Sequence, residues 1–184
     1  NKLIGDNTDA AGFLKDLNRF MVDQKSKTEN RRSVIVLGAG GSARSVVYAL
    51  ANAGWKVTIA ARRIEQAEQL AATIFNHALR ITNYIDLQLS TFDLLINTTP
   101  TGMTPNTDQS PLPENTLLSP QTLVYDLVYN PRETKLVKDA RAQGLQATTG
   151  LGMLIEQAAL SFEIWTGHNP PREILFDAVH QITD

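Results

Sequence analysis

Apolar residues recur along this chain with two periods. From Asp9 to Val22 they fall at helical spacing, with Phe13, Leu17 and Phe20 on one stripe. A polar stretch, "DQKSKTENRR", follows and reads as a surface connection. Then "SVIVLGAGG" opens, rich in β-branched residues, apolar on both faces and ending in glycines, which predicts a buried parallel strand. The alternation continues with a helix over 42–53, a strand over 56–60, a helix over 64–76 and a strand over 79–82. Strands over 93–97 and 123–127, a helix over 133–143 and a short strand over 146–149 come next, and helices over 151–166 and 171–182 close the pattern. Strands alternating with helices imply an α/β fold: a doubly wound, mostly parallel sheet with helices on both faces. The helical spacing of Leu151, Leu154, Ala158, Phe162 and Trp165 assigns them to the core. The stretch from Pro100 to Pro120 carries five prolines and reads as a long irregular loop after a strand end, the edge where open α/β sheets bind ligands.

Composition narrows the function. The 184 residues suit one domain, and 42% of them are hydrophobic, enough for a core. A formal net charge of -2 offers no basic face for a nucleic-acid backbone. Cysteine is absent, which excludes disulfides and thiol chemistry and fits a reducing, cytoplasmic setting. No apolar run reaches the ~18 residues of a membrane helix. His77, His168 and His180 lack ligand spacing, so no metal site is expected.

The most informative stretch is "VIVLGAGGSARSVVYAL". Gly38, Gly40 and Ala43 form G-x-G-x-x-A between a strand and a helix, with Ala39, Gly41 and Ser42 inside the turn. The first glycine permits the sharp turn, the second lets a pyrophosphate approach the backbone, and the alanine lets the helix pack closely on the strand. Free N–H groups at the helix start hold the phosphates, and the Ser42 hydroxyl can add to them. In this setting the motif predicts a Rossmann-like dinucleotide site. An NAD site carries an acid about 20 residues on, for the ribose hydroxyls. Here "VTIAARRIEQ" places Arg62 and Arg63 there, with no acid before Glu65. Guanidinium groups suit a 2′-phosphate, so NADP is the expected cofactor.

Five motifs in order, "GDNTDAAGF", "LGAGGSAR", "LLINTTPTGM", "VYDLVYNPRET" and "GLGMLIEQAALSFEIWTG", resemble the C-terminal two-thirds of the shikimate dehydrogenase family, from Lys2 to about Gly167. The resemblance implies reversible reduction of 3-dehydroshikimate to shikimate with NADPH, in the synthesis of aromatic amino acids. It implies that Asp9, the last letter of "NTD", is the carboxylate of a catalytic lysine–aspartate pair. The lysine belongs to an N-terminal substrate domain that this chain is expected to lack; Lys2 matches a different position. The whole chain, 1–184, would then be the NADP-binding domain, its last helices returning toward that substrate domain, and would be inactive alone. The resemblance also implies that Tyr129 and Gln157 contact substrate. It places Asn97, Thr98, Thr99, Leu127, Gly150 and Met153 at the cofactor. The chain departs from the family in having Ala61-Arg62-Arg63 where Asn-Arg-Thr is common, and Gln66 where a second basic residue is common.

Other readings stay open at this level. Asn7, Thr8 or Asp9 could each simply cap the following helix. A methylene-tetrahydrofolate dehydrogenase shares the architecture but not "GLGMLIEQAA" or "YDLVYNP". A quinate-using relative would favour NAD, against which Arg62 argues. A non-catalytic NADP-binding module is compatible with every motif.

Overall fold

The computed structural model describes residues 5–22, 33–74, 79–84 and 92–182, the side chains of 180–182 excepted. The polar connection 23–32, His77 and the end of the helix expected over 64–76 lie outside them.

The elements follow the expected alternation: α1 (Asp9–Val22), β1 (Ser33–Leu37), α2 (Gly41–Asn52), β2 (Lys56–Ala60), α3 (Ile64–Ala72), β3 (Arg80–Thr82), β4 (Leu94–Asn97), β5 (Leu123–Asp126), α4 (Lys135–Ala142), β6 (Ala147–Thr149), α5 (Leu151–Thr166) and α6 (Arg172–Ile182). The strands form one sheet in the order β3-β2-β1-β4-β5-β6. Every pairing among the described residues is parallel, where the expectation was a mostly parallel sheet. This is the doubly wound order in which the chain reverses direction across the sheet between β1 and β4.

Side chains alternate across the sheet and divide the core in two. Val34, Val36, Ile59, Ile96 and Tyr125 face α1, α2 and α3, while Ile35, Leu37, Leu95 and Val124 face α4 and the proline-rich loop. Both faces are covered, which is why β1 and β4 read as continuous apolar runs. On α2, Ala43, Val46, Val47 and Leu50 form the buried stripe. Thr134 caps α4 by accepting from the Val137 N–H at 3.3 Å, and Gly167 ends α5 in the left-handed conformation, φ 71°.

One expectation fails on α5. Its buried face consists of Gly152, Ile155, Glu156 and Ala159. Leu151, Leu154 and Ala158 are only half-buried, Phe162 is 45% exposed and Trp165 81% exposed. The apolar stripe is thus flank and surface, not core. The cause is α1. A Cβ on Gly12 would lie 2.7 Å from the Gln157 backbone nitrogen, and one on Gly152 would collide with the Asp16 carboxylate. Gly12 lets the α1 backbone rest on that of α5, and Gly152 leaves room for the Asp16 and Arg19 side chains. That contact selects the face of α5 that is buried.

Candidate functional site

β1 runs into the glycine loop at the point where the strand order reverses. Gly38 has φ 107°, a conformation that favours glycine, and its N–H donates to the Ala60 carbonyl at 2.8 Å. A Cβ there would lie 2.7 Å from Thr98 Oγ1. That hydroxyl donates to the Leu37 carbonyl at 2.6 Å, so the turn after β1 and the turn after β4 are built against each other. Ala43 is fully buried under the helix, as close packing on the strand requires. Gly40 and Gly41 differ from Gly38: a Cβ on either would meet nothing within 4 Å. They face open space, and Gly40 caps α2 with no side chain across the helix end. The first N–H groups of the helix, from Gly41, Ser42 and Ala43, have no intrahelical acceptor and mark a place for an anion. The cradle fits a pyrophosphate.

At the end of β2, Ala61 is buried while Arg62 and Arg63 are exposed. Neither makes an ion pair with a described residue. Arg62 lies close enough to Tyr84 to oppose the upward push that burial gives the Tyr84 phenol. Two such guanidinium groups just past the end of β2, with no acid at the strand end, fit a 2′-phosphate.

Beyond α2, the ends of β4 and β5 form a cavity of ≈ 470 Å³ lined by Ser42, Thr98, Thr99, Leu127, Val128 and Tyr129, among others. Five residues singled out in the sequence thus meet in one place. Tyr129 is 47% exposed at its rim. Gly150 lies against the Leu127 carbonyl, where a Cβ would collide, so the chain leaving β6 touches the chain leaving β5. Met153 is half-buried and packs on the core. Asn97 differs from its neighbours, being fully buried with its amide bonded to protein. It forms no part of the cavity wall.

Asp9 begins α1, half-buried, and none of the hydrogen bonds or ion pairs among described residues occupies its carboxylate. Capping falls to its neighbours. The Asn7 Oδ1 accepts from the Asp9 N–H at 3.0 Å, and the Thr8 carbonyl accepts from Gly12 at 2.8 Å. The Thr8 hydroxyl instead reaches α5, 2.9 Å from Ser161 Oγ and 3.5 Å from Gln157 Oε1. Asp9 and Gln157 are therefore carried by two helices in contact.

Sequence reasoning missed three polar clusters. Asn97 and Asp126 form a buried pair at the strand ends. Thr8 and Ser161 join α1 to α5. Tyr125 donates to Asp16 at 2.5 Å, Asp16 pairs with Arg19, and Glu156 receives Arg19 at 3.7 Å and Arg172 at 3.3 Å. Burial and the Asp16 carboxylate hold the Tyr125 phenol well above its ordinary range. The acid in "LVYD" of β5, an ionisable residue ending an apolar strand, was the one local signal of any of these.

A larger cavity, ≈ 550 Å³, lies at the free edge of β6 between Arg19, Arg141 and Phe176. Its guanidinium groups are engaged, Arg19 with Asp16 and Glu156, Arg141 with Glu133 and the Ala147 carbonyl. It contains none of the residues assigned to cofactor or substrate, so chemistry rather than size selects the crevice at β1 and β4. Among the described residues no cluster could hold a metal ion, and no helix is long and apolar enough to cross a membrane.

Comparison with known proteins agrees with this geometry. The profile of the family "Shikimate / quinate 5-dehydrogenase" matches residues 21–138, and that of "Shikimate 5'-dehydrogenase C-terminal domain" matches residues 150–179. The NADP(+) shikimate dehydrogenase of Carboxydothermus hydrogenoformans is 39% identical across 97% of this chain and 63% of its own length. A shikimate 5-dehydrogenase of Thermus thermophilus, solved with NADP(H) and shikimate, superposes with a TM-score of 0.81 at 35% identity over 96% of this chain and 63% of that one. The quinate dehydrogenase of Corynebacterium glutamicum, solved with NAD, gives 0.83 at 30% identity over 96% of this chain and 63% of that one. The chain thus spans 63% of the length of each. With a profile covering most of the chain, a matching fold and a glycine loop, arginine pair and strand-end cavity in one crevice, the chain belongs to the shikimate / quinate 5-dehydrogenase family.

Proposed function

We propose that this chain binds NADP and forms the cofactor side of a shikimate dehydrogenase, which interconverts 3-dehydroshikimate and shikimate. The observation that carries the reading is the crevice itself. Open glycines at a helix N-terminus sit between two exposed arginines on one side and a polar-rimmed cavity on the other. Relatives described as NADP(+) enzymes support the cofactor, and Arg62 and Arg63 favour it over NAD.

Bound NADPH supplies a hydride. The residues of this chain do the rest of what it contributes. The N–H groups of Gly41 to Ala43 hold the pyrophosphate and Arg62 with Arg63 the 2′-phosphate. Thr98, Thr99, Leu127, Gly150 and Met153 shape the nicotinamide end. Tyr129 and Gln157 offer hydrogen bonds to the carboxylate and hydroxyls of the substrate. A ketone reduced by hydride needs a proton on its oxygen as charge develops there. In the family pattern that donor is a lysine ammonium, and Asp9 is its carboxylate partner. The role of Asp9 is to orient that ammonium and favour its charged form. By the family resemblance the lysine belongs to a substrate domain outside these 184 residues, so the chain alone binds cofactor without turnover.

Calorimetric titration of the chain with NADPH and with NADH tests this. Binding of NADPH at least about tenfold tighter, a gap of roughly 1.4 kcal/mol, is expected. Equal binding of both, or of neither, would overturn the cofactor reading. Shikimate oxidation by the isolated chain at the rate of a full-length dehydrogenase would overturn the placement of the catalytic lysine outside it.

A further inference from the structure

Asn97 and Asp126 are the last residues of adjacent strands and stand opposite each other in the β4–β5 register. Both are fully buried. Asn97 Nδ2 donates to Asp126 Oδ1 at 2.8 Å. Each side chain also takes hold of the backbone two residues further on. Asn97 Oδ1 accepts from the Thr99 N–H at 2.9 Å, and Asp126 Oδ1 accepts from the Val128 N–H at 3.1 Å. The Thr99 hydroxyl adds a bond to Asn97 Oδ1 at 2.7 Å, and the Thr134 hydroxyl one to Asp126 Oδ2 at 2.7 Å. Two side-chain-closed turns thus lie side by side, joined across the strands.

These turns carry the walls of the cavity: Thr98 and Thr99 from one, Leu127, Val128 and Tyr129 from the other. An apolar pair would fill the same space without desolvating a carboxylate. What it could not do is hold two backbone N–H groups at set positions. We propose that Asn97 and Asp126 are positioning residues for the nicotinamide half of the dinucleotide site, fixing the two turns relative to each other without touching the ligand. This rests on the reading that the crevice binds NADP.

The two halves of the ligand separate a positioning role from a general loss of structure. The adenosine and phosphate groups meet Gly41 to Ala43 and the arginines, none of which bonds to the pair; the Asn97 turn reaches the glycine loop through Thr98 and Thr99 against Gly38. The probes are NADPH and 2′-phospho-ADP-ribose, which lacks the nicotinamide, titrated into the chain and its variants. Asn97→Leu and Asn97→Ala should weaken NADPH by at least about tenfold while leaving 2′-phospho-ADP-ribose within about threefold. Asp126→Asn keeps the shape and the acceptor for Val128, and the Thr134 hydroxyl can turn to accept, so both probes should stay within about threefold. Equal losses on both probes, or unchanged NADPH binding by the Asn97 variants, would overturn the proposal. Amide hydrogen exchange on the unaltered chain supplies a readout that needs no variant. The Thr99 and Val128 amides should be protected like those of β4 and β5, and exchange at loop rates would overturn it. Binding of neither probe by the unaltered chain would show that the cofactor reading itself fails, and the proposal with it.

Discussion

The hydroxyl of Thr8, one residue before Asp9, lies 2.9 Å from that of Ser161, one helical turn beyond Gln157. The contact joins the first turn of α1 to α5. Gly12 reinforces it by letting the α1 backbone rest on that of Gln157. The carboxylate assigned to catalysis and the amide assigned to substrate are therefore held by one helix pair.

Ser161→Ala is expected to cost about 0.5–1.5 kcal/mol, the usual net worth of one part-buried hydrogen bond. Thr8 keeps its weaker approach to Gln157, which limits the loss. Urea unfolding of the two proteins measures it; unchanged stability would mean that solvent replaces the bond in full.

The glycines separate into two kinds. Gly12→Ala puts a methyl group against backbone that cannot move aside, so α1 and α5 must part, at about 1–3 kcal/mol. Gly40→Ala meets nothing in the protein and has a permitted φ of -85°, so stability should stay within about 0.5 kcal/mol. On the proposed cofactor reading, that methyl group would crowd the pyrophosphate. NADPH binding should fall while the melting temperature holds, and calorimetry with thermal unfolding on both variants tests the contrast.

Arg62→Ala is expected to weaken NADPH by roughly 1.5–3 kcal/mol, the range for a hydrogen bond to a charged group, with little change for NADH. Parallel titrations decide it. Equal loss for both nucleotides would remove the 2′-phosphate from the role of Arg62.

Asp126 carries a pH dependence of known sign. Burial raises its carboxyl above the ordinary value of 3.8, outweighing the opposing bonds from Thr134, Val128 and Asn97. A carboxyl whose value is raised on folding binds its proton more tightly in the native state. Its contribution to stability is therefore greatest below 3.8, falls as pH rises toward the raised value, and is level above that. Asp126→Asn removes this titration. The stability of the unaltered chain relative to the variant should decline as pH rises above 3.8. Urea midpoints of both proteins across that range give the sign directly.

Much of this molecule was determined by the sequence alone. The strand and helix sites, the parallel sheet, the glycine loop and the arginine pair were all legible, because period, turn chemistry and motif spacing are properties of neighbouring residues. Even Gly38, Gly40 and Ala43 sort by role without coordinates. The tertiary structure decided what depends on residues far apart in the chain. The stripe from Leu151 to Trp165 has core spacing, yet its far end is surface, because Gly12 and Gly152 bring α1 onto another face of α5. Asn97 reads as a ligand contact, yet it is enclosed, because β5 places Asp126 beside it. Thr8 reads as a cap, yet its hydroxyl goes to Ser161. In each case a partner distant in sequence outcompetes the local option, since burial rewards a side chain for the bonds and contacts it makes in space, whatever its neighbours along the chain.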